Sequence, residues 1–246
     1  TWGLLLTGRM VSLDDPDRSA PGRWMSRMVT RMGEPMVRGA MRQAMRIMGH
    51  QFVMGRNIAE AFTRSREGEN AAYRYSFDML GESALTAADA GRYFNAYRDA
   101  IATVGRGIVP GTPPEAAASI SVKLSALHPR YERSNREAVL RELAPRLVGL
   151  AKVARDAGVA LTVDAEESER LELSLELIGA VCRAPELEGW HGFGLAVQAY
   201  QKRCGAVIDW LAATARDHRR RLNVRLVKGA YWDSEIKRGQ ERGLDG

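Results

Sequence analysis

Polar residues close each of five β-rich runs in this 246-residue sequence: Asp78 in the first, Lys123 in the second, Asp164 in the third, Gln198 in the fourth, and Arg225 with Lys228 in the fifth. Taken singly, each is as readily a structural ion pair as a functional group, because a partly buried charge needs a partner wherever it sits. Together, Lys123, Asp164, Gln198, Arg225 and Lys228 describe a site for an anionic, hydrogen-bonding ligand. Two cations three residues apart, beside a glutamine amide, could hold the polar edge of a flavin. The cations would stabilise the reduced, anionic ring, and the amide could bond its pyrimidine carbonyls. Tyr231 and Trp232 add flat aromatic surface next to them. A phosphate or carboxylate would satisfy the same charges, so spacing alone leaves these ligands open.

Other chemistries find less support. His50, His128, His191 and His218 are scattered, with neither metal-ligand spacing nor the makings of a nucleophilic triad. Glu166-Glu167 suggests a metal or a glycosidase pair. Read as adjacent strand residues, however, the two point to opposite faces, and no metal site is expected. The two cysteines, Cys182 and Cys204, form no CxxC motif, which argues against a disulfide scaffold and fits a reducing compartment. The first strand is not followed by GxGxxG, so the dinucleotide fingerprint is missing. With 45% apolar and 27% charged residues the composition is globular, and no run reaches the roughly 18 uncharged apolar residues of a membrane span. The opening Trp2-Gly3-Leu4-Leu5-Leu6 lacks the basic start of a signal peptide.

The elements that must carry these residues fall into two regions that meet near residue 70. Residues 1–70 hold 11 Arg, no Lys and 7 acids, for +4, and nine of the ten methionines. Residues 71–246 hold 25 basic and 23 acidic residues, for +2. In the first region Met25, Met28, Met32 and Met36, then Met41, Met45 and Met48, repeat at helical spacing with arginines between them. A Met-faced helical pair with its arginines in solvent is the plain reading, and a basic amphipathic surface for a membrane, nucleic acid or acidic partner is the sharper one. In the second region strands over 73–79, 119–126, 160–165, 192–199 and 223–230 alternate with helices over 86–104, 135–157, 168–181 and 202–218. A further charged helix spans 234–242. Thr86, three residues before Asp89, predicts a capping box, and Gly158 a helix stop. Such alternation means parallel strands with right-handed crossovers. Polar groups on five strand ends favour a (βα)₈ barrel over a doubly wound sheet, because parallel strands gather their C-terminal ends on one face. An eight-unit barrel takes about 250 residues, so residues 71–246 are expected to form an incomplete barrel of about five βα units, preceded by the helical segment 1–70.

Five longer motifs then become recognisable. Tyr73-Arg74-Tyr75-Ser76-Phe77-Asp78-Met79-Leu80-Gly81-Glu82, Ile120-Ser121-Val122-Lys123-Leu124-Ser125-Ala126-Leu127-His128-Pro129-Arg130-Tyr131, Leu161-Thr162-Val163-Asp164-Ala165-Glu166-Glu167, Gly194-Leu195-Ala196-Val197-Gln198-Ala199-Tyr200 and Arg225-Leu226-Val227-Lys228-Gly229-Ala230-Tyr231-Trp232 closely resemble the proline dehydrogenase domain of the bacterial proline utilization A flavoenzymes. Trp2 to Gly8 and the helical region after it resemble the segment preceding that barrel, so the resemblance covers nearly the whole chain.

The resemblance implies a distorted (βα)₈ barrel that binds FAD noncovalently and oxidises L-proline to Δ1-pyrroline-5-carboxylate, with electrons passed to a membrane quinone. It implies that Arg225 contacts the flavin at N5, and that Gln198 and Lys228 hold the isoalloxazine edge. Gly229 would let the backbone approach the cofactor, with Ala230 beside it, and Trp232 would pack on FAD. Lys123 would bind the substrate carboxylate, with Asp164 fixing cations and polar groups around the ring. Leu226, Ala230 and Tyr231 would shape the pocket for proline, and Glu82 would act in a loop that closes over it. The implied setting is cytoplasmic, peripheral to the inner membrane, with a homo-oligomeric full-length protein. The family pattern continues past residue 246, so the chain reads as a fragment with weak or no turnover of its own, and no nucleic-acid binding is expected from these residues. Two alternatives stand beside this reading: another flavin barrel, of the methylenetetrahydrofolate reductase kind, and a non-enzymatic module acting through the Met/Arg helices.

Overall fold

The computed structural model describes residues 53–81 and 83–244, with a few positions between 38 and 49. The chain divides into two compact units, residues 1–54 and 55–246, a boundary that falls before the change of composition near residue 70. In the first unit the described Met41 and Met45 are helical and more than half exposed. Met25, Met28, Met32, Met36 and Met48 lie outside the described residues.

The second unit is an alternation of strands and helices. Helix α1 (Ile58–Arg64) is capped by the Asn57 side chain, which accepts from the Glu60 amide. After it come β1 (Ser76–Phe77), α2 (Ala87–Gly105), β2 (Ser119–Val122), α3 (Leu124–Leu127) and α4 (Arg136–Asp156). Then come β3 (Ala160–Val163), α5 (Leu171–Arg183), β4 (Phe193–Gln198), α6 (Cys204–Asp217), β5 (Asn223–Val227) and α7 (Trp232–Glu241). The five strands are all parallel and pair in sequence order, β1-β2-β3-β4-β5. A doubly wound sheet reverses its order at a switch point, and this one does not. A flat sheet would set β1 and β5 roughly 19 Å apart at the usual strand spacing. Yet the Arg225 side chain on β5 reaches the Ser76 hydroxyl on β1. The sheet is therefore curled hard, as a barrel wall must be.

Local rules explain the helices. Thr86 and Asp89 form the capping box at the start of α2, each side chain bonding the other's backbone amide. Helix α4 turns Val139, Leu143, Leu147, Leu150, Ala151 and Ala154 wholly inward. Each such leucine contributes about 2 kcal/mol of burial. Pro145 sits inside α4 on its exposed side, so the Arg141 carbonyl that loses its amide partner can turn to water. Consecutive helices α4, α5 and α6 pack on one another and cover the outer face of the sheet.

The strands are shorter than the runs that predicted them. Only Ser76–Phe77 of the 73–79 run pairs. The 119–126 run ends at Val122, because the Lys123 amide donates to the phenol oxygen of buried Tyr97 on α2 at 3.0 Å and the chain then turns into α3. The 160–165 run likewise ends at Val163, the 192–199 run at Gln198 and the 223–230 run at Val227. Asp78, Lys123, Asp164, Gln198 and Lys228 thus lie at or just beyond the strand ends, whereas Arg225 is the middle residue of β5.

Candidate functional site

Three of the predicted residues meet on the inner side of the curled sheet. Lys123 Nζ lies 3.0 and 3.1 Å from the two carboxylate oxygens of Asp78 and 3.2 Å from Asp164 Oδ2. Arg225 Nη1 donates to Asp164 Oδ1 at 3.1 Å. Its Nη2 donates to the hydroxyls of Ser76 at 2.7 Å and Ser121 at 2.9 Å, which are themselves 3.0 Å apart. Asp164 is the hinge of the cluster, with one oxygen on each cation. Its own amide continues the β2–β3 ladder by donating to Val122, which fixes its place. The cations therefore do not stand bare, as their sequence spacing suggested. These three bonds of Arg225 leave two of its five N–H donors over.

A second network lies at the ends of the same strands. Gln198 is buried on β4. Its Nε2 donates to the Glu166 carbonyl at 2.8 Å and its Oε1 accepts from the Ala230 amide at 3.3 Å. One donor and one acceptor position remain on its amide. The buried Glu166 carboxylate accepts from the Ser125 amide at 3.0 Å and from Arg170 Nη1 at 2.8 Å. Glu167 Oε2 lies 3.0 Å from the same nitrogen without an aligned hydrogen bond. The opposite-face argument for these two glutamates fails because β3 has already ended. Both follow it in a turn and share one guanidinium. Arg170 also stacks over the Tyr131 ring, with its guanidinium carbon 5.4 Å from the ring centre. Burial, then the Glu166 charge, pushes the Tyr131 phenol far up.

The remaining predicted residues divide. Tyr231 is half-buried, and its phenol is raised first by burial, then by Glu167 and Glu166, with Lys123 pulling the other way. It therefore lies within reach of both networks. Gly229 has φ +120°, and a Cβ there would come within 2.1 Å of the Tyr200 ring. In this structure the close approach that demands glycine is made by Tyr200. The Tyr200 phenol is pushed up to about 12 by burial and by a hydrogen bond with Glu235. Glu235 on α7 also accepts from the Ser168 amide at 2.8 Å, and Arg238 on the same helix pairs with Glu169. These bonds tie α7 to the turn after β3. Lys228 and Ala230 are exposed, and Trp232 is exposed at the start of α7. Leu226 is not brought into the cluster. It neighbours Arg225 on β5, so its side chain leaves by the other face, and it is 64% exposed. Glu82 lies outside the described residues. Asp78, Ser76, Ser121 and Tyr97 were missed as site residues. Asp78 alone carried a signal, as the polar end of the first strand run.

The chain is similar to known proteins over most of its length. The family model described as "Proline dehydrogenase" matches residues 61–245, and one described as "DNA-binding domain of Proline dehydrogenase" matches residues 1–52. The second match bears against the expectation that these residues bind no nucleic acid. The bifunctional protein PutA of Escherichia coli is 51% identical over 251 residues, covering 100% of this chain and 18% of that protein. The bifunctional protein PutA of Rhizobium meliloti is 50% identical, covering 99% and 19%. The chain thus spans under a fifth of the curated relatives it matches. Among solved structures, a mutant of proline utilization A from Bradyrhizobium japonicum superposes with a TM-score of 0.74 at 57% identity, over 90% of this chain and 22% of that one. Proline utilization A from Bdellovibrio bacteriovorus gives 0.77 at 26% identity, over 85% and 23%.

Proposed function

The chain belongs to the proline dehydrogenase family, and from that premise we propose that its strand ends form part of a flavin-dependent site that oxidises L-proline to Δ1-pyrroline-5-carboxylate. The observation that carries the reading is the convergence of Lys123, Asp164 and Arg225, from three separate strands, into one ion-paired cluster on the inner face of the curled sheet.

The residues present fit a flavin by the chemistry of their donors. Arg225 keeps unspent N–H groups on an accessible guanidinium, and Gln198 keeps one donor and one acceptor position. Lys228 stands exposed just beyond them. In this reading Arg225, Gln198 and Lys228 hold the ring's polar edge, and Gly229, Ala230 and Trp232 line its surroundings. FAD is the form proposed. When bound, it would supply the two-electron acceptor that the reaction needs. The other roles fall on side chains. Lys123 receives the substrate carboxylate, which fixes the ring and removes part of the entropic barrier. Asp164 keeps both cations aimed inward. Arg225 stabilises negative charge as it develops. Tyr231 and Ala230 border the substrate, and Glu82 acts in the closing loop. The nitrogen must shed its proton for the C=N bond to form, and the open face of the cluster lets solvent take it.

The wider setting belongs to the same proposal: delivery of electrons to a membrane quinone, a cytoplasmic protein peripheral to the inner membrane, and a homo-oligomer. Among the described residues no helix is long and apolar enough to cross a membrane. The visible absorption spectrum tests the core of the reading. A flavin band that bleaches on adding L-proline supports it. A protein reconstituted with FAD that neither retains the band nor responds to proline overturns it.

A further inference from the structure

Arg225 enters the site from the middle of β5, and two serine hydroxyls meet it there. Its Nη2 donates to Ser76 at 2.7 Å and to Ser121 at 2.9 Å, and the two oxygens lie 3.0 Å apart. Sheet register builds the pair. Ser76 on β1 stands opposite Ser119 on β2, and Ser121 follows two residues on, along the same face. A guanidinium has no lone pair, so both oxygens accept from it, while one hydroxyl gives its hydrogen to the other. Asp164 holds the other arm of the fork, at 3.1 Å from Nη1. With both arms held, rotation about the Nε–Cζ bond is blocked. The Nε–H donates to no described residue and points where the fork directs it. The two hydroxyls differ in their surroundings: Ser121 is 1% exposed, whereas Ser76 is open to water.

We propose that Ser121, with Ser76 beside it, is the positioning residue of Arg225. The hydroxyl pair fixes the rotation of the guanidinium and so the direction of the N–H groups left for a ligand. The inference deepens the reading of Arg225 as a partner of the flavin, and rests on that reading for the identity of the ligand. The chemistry of the holder matters. A carboxylate at position 121 would also accept from Nη2, but it would add a second negative charge to that of Asp164. A hydroxyl accepts the bond and leaves the guanidinium its charge. The cation is thus aimed without being further neutralised, and its field is in place before negative charge develops on a ligand. Burial gives Ser121 the larger share. Water can stand in for the exposed Ser76 hydroxyl, whereas bulk water does not reach Ser121, and an acceptor lost there leaves a charged donor short of a partner.

Nitrogen-15 NMR of the arginine-labelled full chain at low temperature tests this without any ligand. Arg225 is assigned by the signals lost in Arg225→Lys. Its Nη1 and Nη2 groups are expected to give separate signals in the wild type. Exchange between them is expected to quicken about tenfold in Ser121→Ala, the scale of one hydrogen bond to a charged group. In Ser76→Ala it should quicken less than about twofold, because water replaces the lost hydroxyl. Ser121→Cys, which keeps the volume but accepts weakly, should behave like Ser121→Ala. A wild-type exchange rate in Ser121→Ala, in a protein with the wild-type circular dichroism spectrum, overturns the positioning. So does a single averaged signal in the wild type. A wild-type rate in Ser121→Cys also overturns it, because packing and not the hydrogen bond would then hold the fork. The midpoint potential of added FAD separates the underlying reading. Ser121→Ala should shift the reduction equilibrium about tenfold towards oxidised flavin, or about 30 mV downward. If exchange quickens while the potential holds, or if no flavin is retained, Ser121 still positions Arg225 and only the flavin reading falls.

Discussion

The Lys123–Asp78–Asp164–Arg225 cluster and the Gln198–Glu166–Arg170 network stand at the ends of the same strands and are built for different ends. The first is ionic and partly open to water. Exposed ion pairs hold little energy, so they rearrange readily when a ligand offers equivalent contacts. The second is buried, and three of its four hydrogen bonds run to backbone: Gln198 to the Glu166 carbonyl and the Ala230 amide, Glu166 to the Ser125 amide. Those bonds tie together the ends of β2, β3, β4 and β5. One network can exchange its partners while the other holds the frame still. A site needs both, because groups that bind must be aimed by groups that do not move.

The sharpest way to break this contrast is to cut the frame. Glu166→Ala removes the carboxylate held by Arg170 and the Ser125 amide at once, and leaves a largely buried guanidinium short of a partner. A loss of about 3 kcal/mol is expected in urea denaturation, with a fall in any flavin retention that follows the fold. Gly229→Ala comes next. The new methyl would meet the Tyr200 ring at φ +120°, and about 2 kcal/mol of strain is expected. A Tyr200→Ala background should relieve much of it, and an additive double mutant would show that the Tyr200 contact is not the cause.

The ionic cluster should answer differently. Arg225→Met removes three hydrogen bonds, but its guanidinium is 39% exposed and Asp164 keeps Lys123. Stability should change by no more than about 1 kcal/mol, while reduction of a bound flavin by proline should slow by about tenfold or more. Stopped-flow absorbance against urea denaturation makes the comparison. Equal damage to both would place Arg225 with the frame.

How far the sequence showed this division can be judged from particular residues. The five strands, their parallel sense and the helices between them were legible because apolar periodicity and stop signals are local properties. The capping box of Thr86 and Asp89 was legible for the same reason. Strand ends were misjudged where tertiary bonds intervene. Nothing local in Ser121-Val122-Lys123-Leu124 reveals that the Tyr97 phenol terminates the ladder there. Tyr97 itself lies on a helix, where nothing in the local sequence marks its phenol as the partner of a strand-end amide. Lys123, Asp164 and Arg225 were legible as charges at strand ends, but their neutralisation was not, since Asp78 and Lys123 are joined by sheet register across 45 positions. Ser76 and Ser121 were invisible because a serine on a strand announces no partner. Glu166 and Glu167 were misread once the strand was drawn two residues too long.

The smallest expected effect lies at Tyr200, beside Gly229 and Glu235. Its phenol is raised to about 12 by burial and by its hydrogen bond with Glu235, against about 10 in an unfolded chain. The folded state thus favours the neutral phenol, and the unfolded chain gives up this proton at lower pH. The resulting stability is fully present below about pH 10 and is lost as pH rises from there through the folded value. Tyr131 and Tyr231 are raised by burial too, so the wild-type slope contains all three. The difference between wild type and Tyr200→Phe isolates one. Urea denaturation followed from pH 9 to 12 should therefore show wild-type stability falling more steeply than that of Tyr200→Phe above about pH 10. Parallel curves would mean that Glu235 does not hold the phenol proton, which leaves Glu235–Ser168 and Arg238–Glu169 as the described bonds between α7 and the turn after β3.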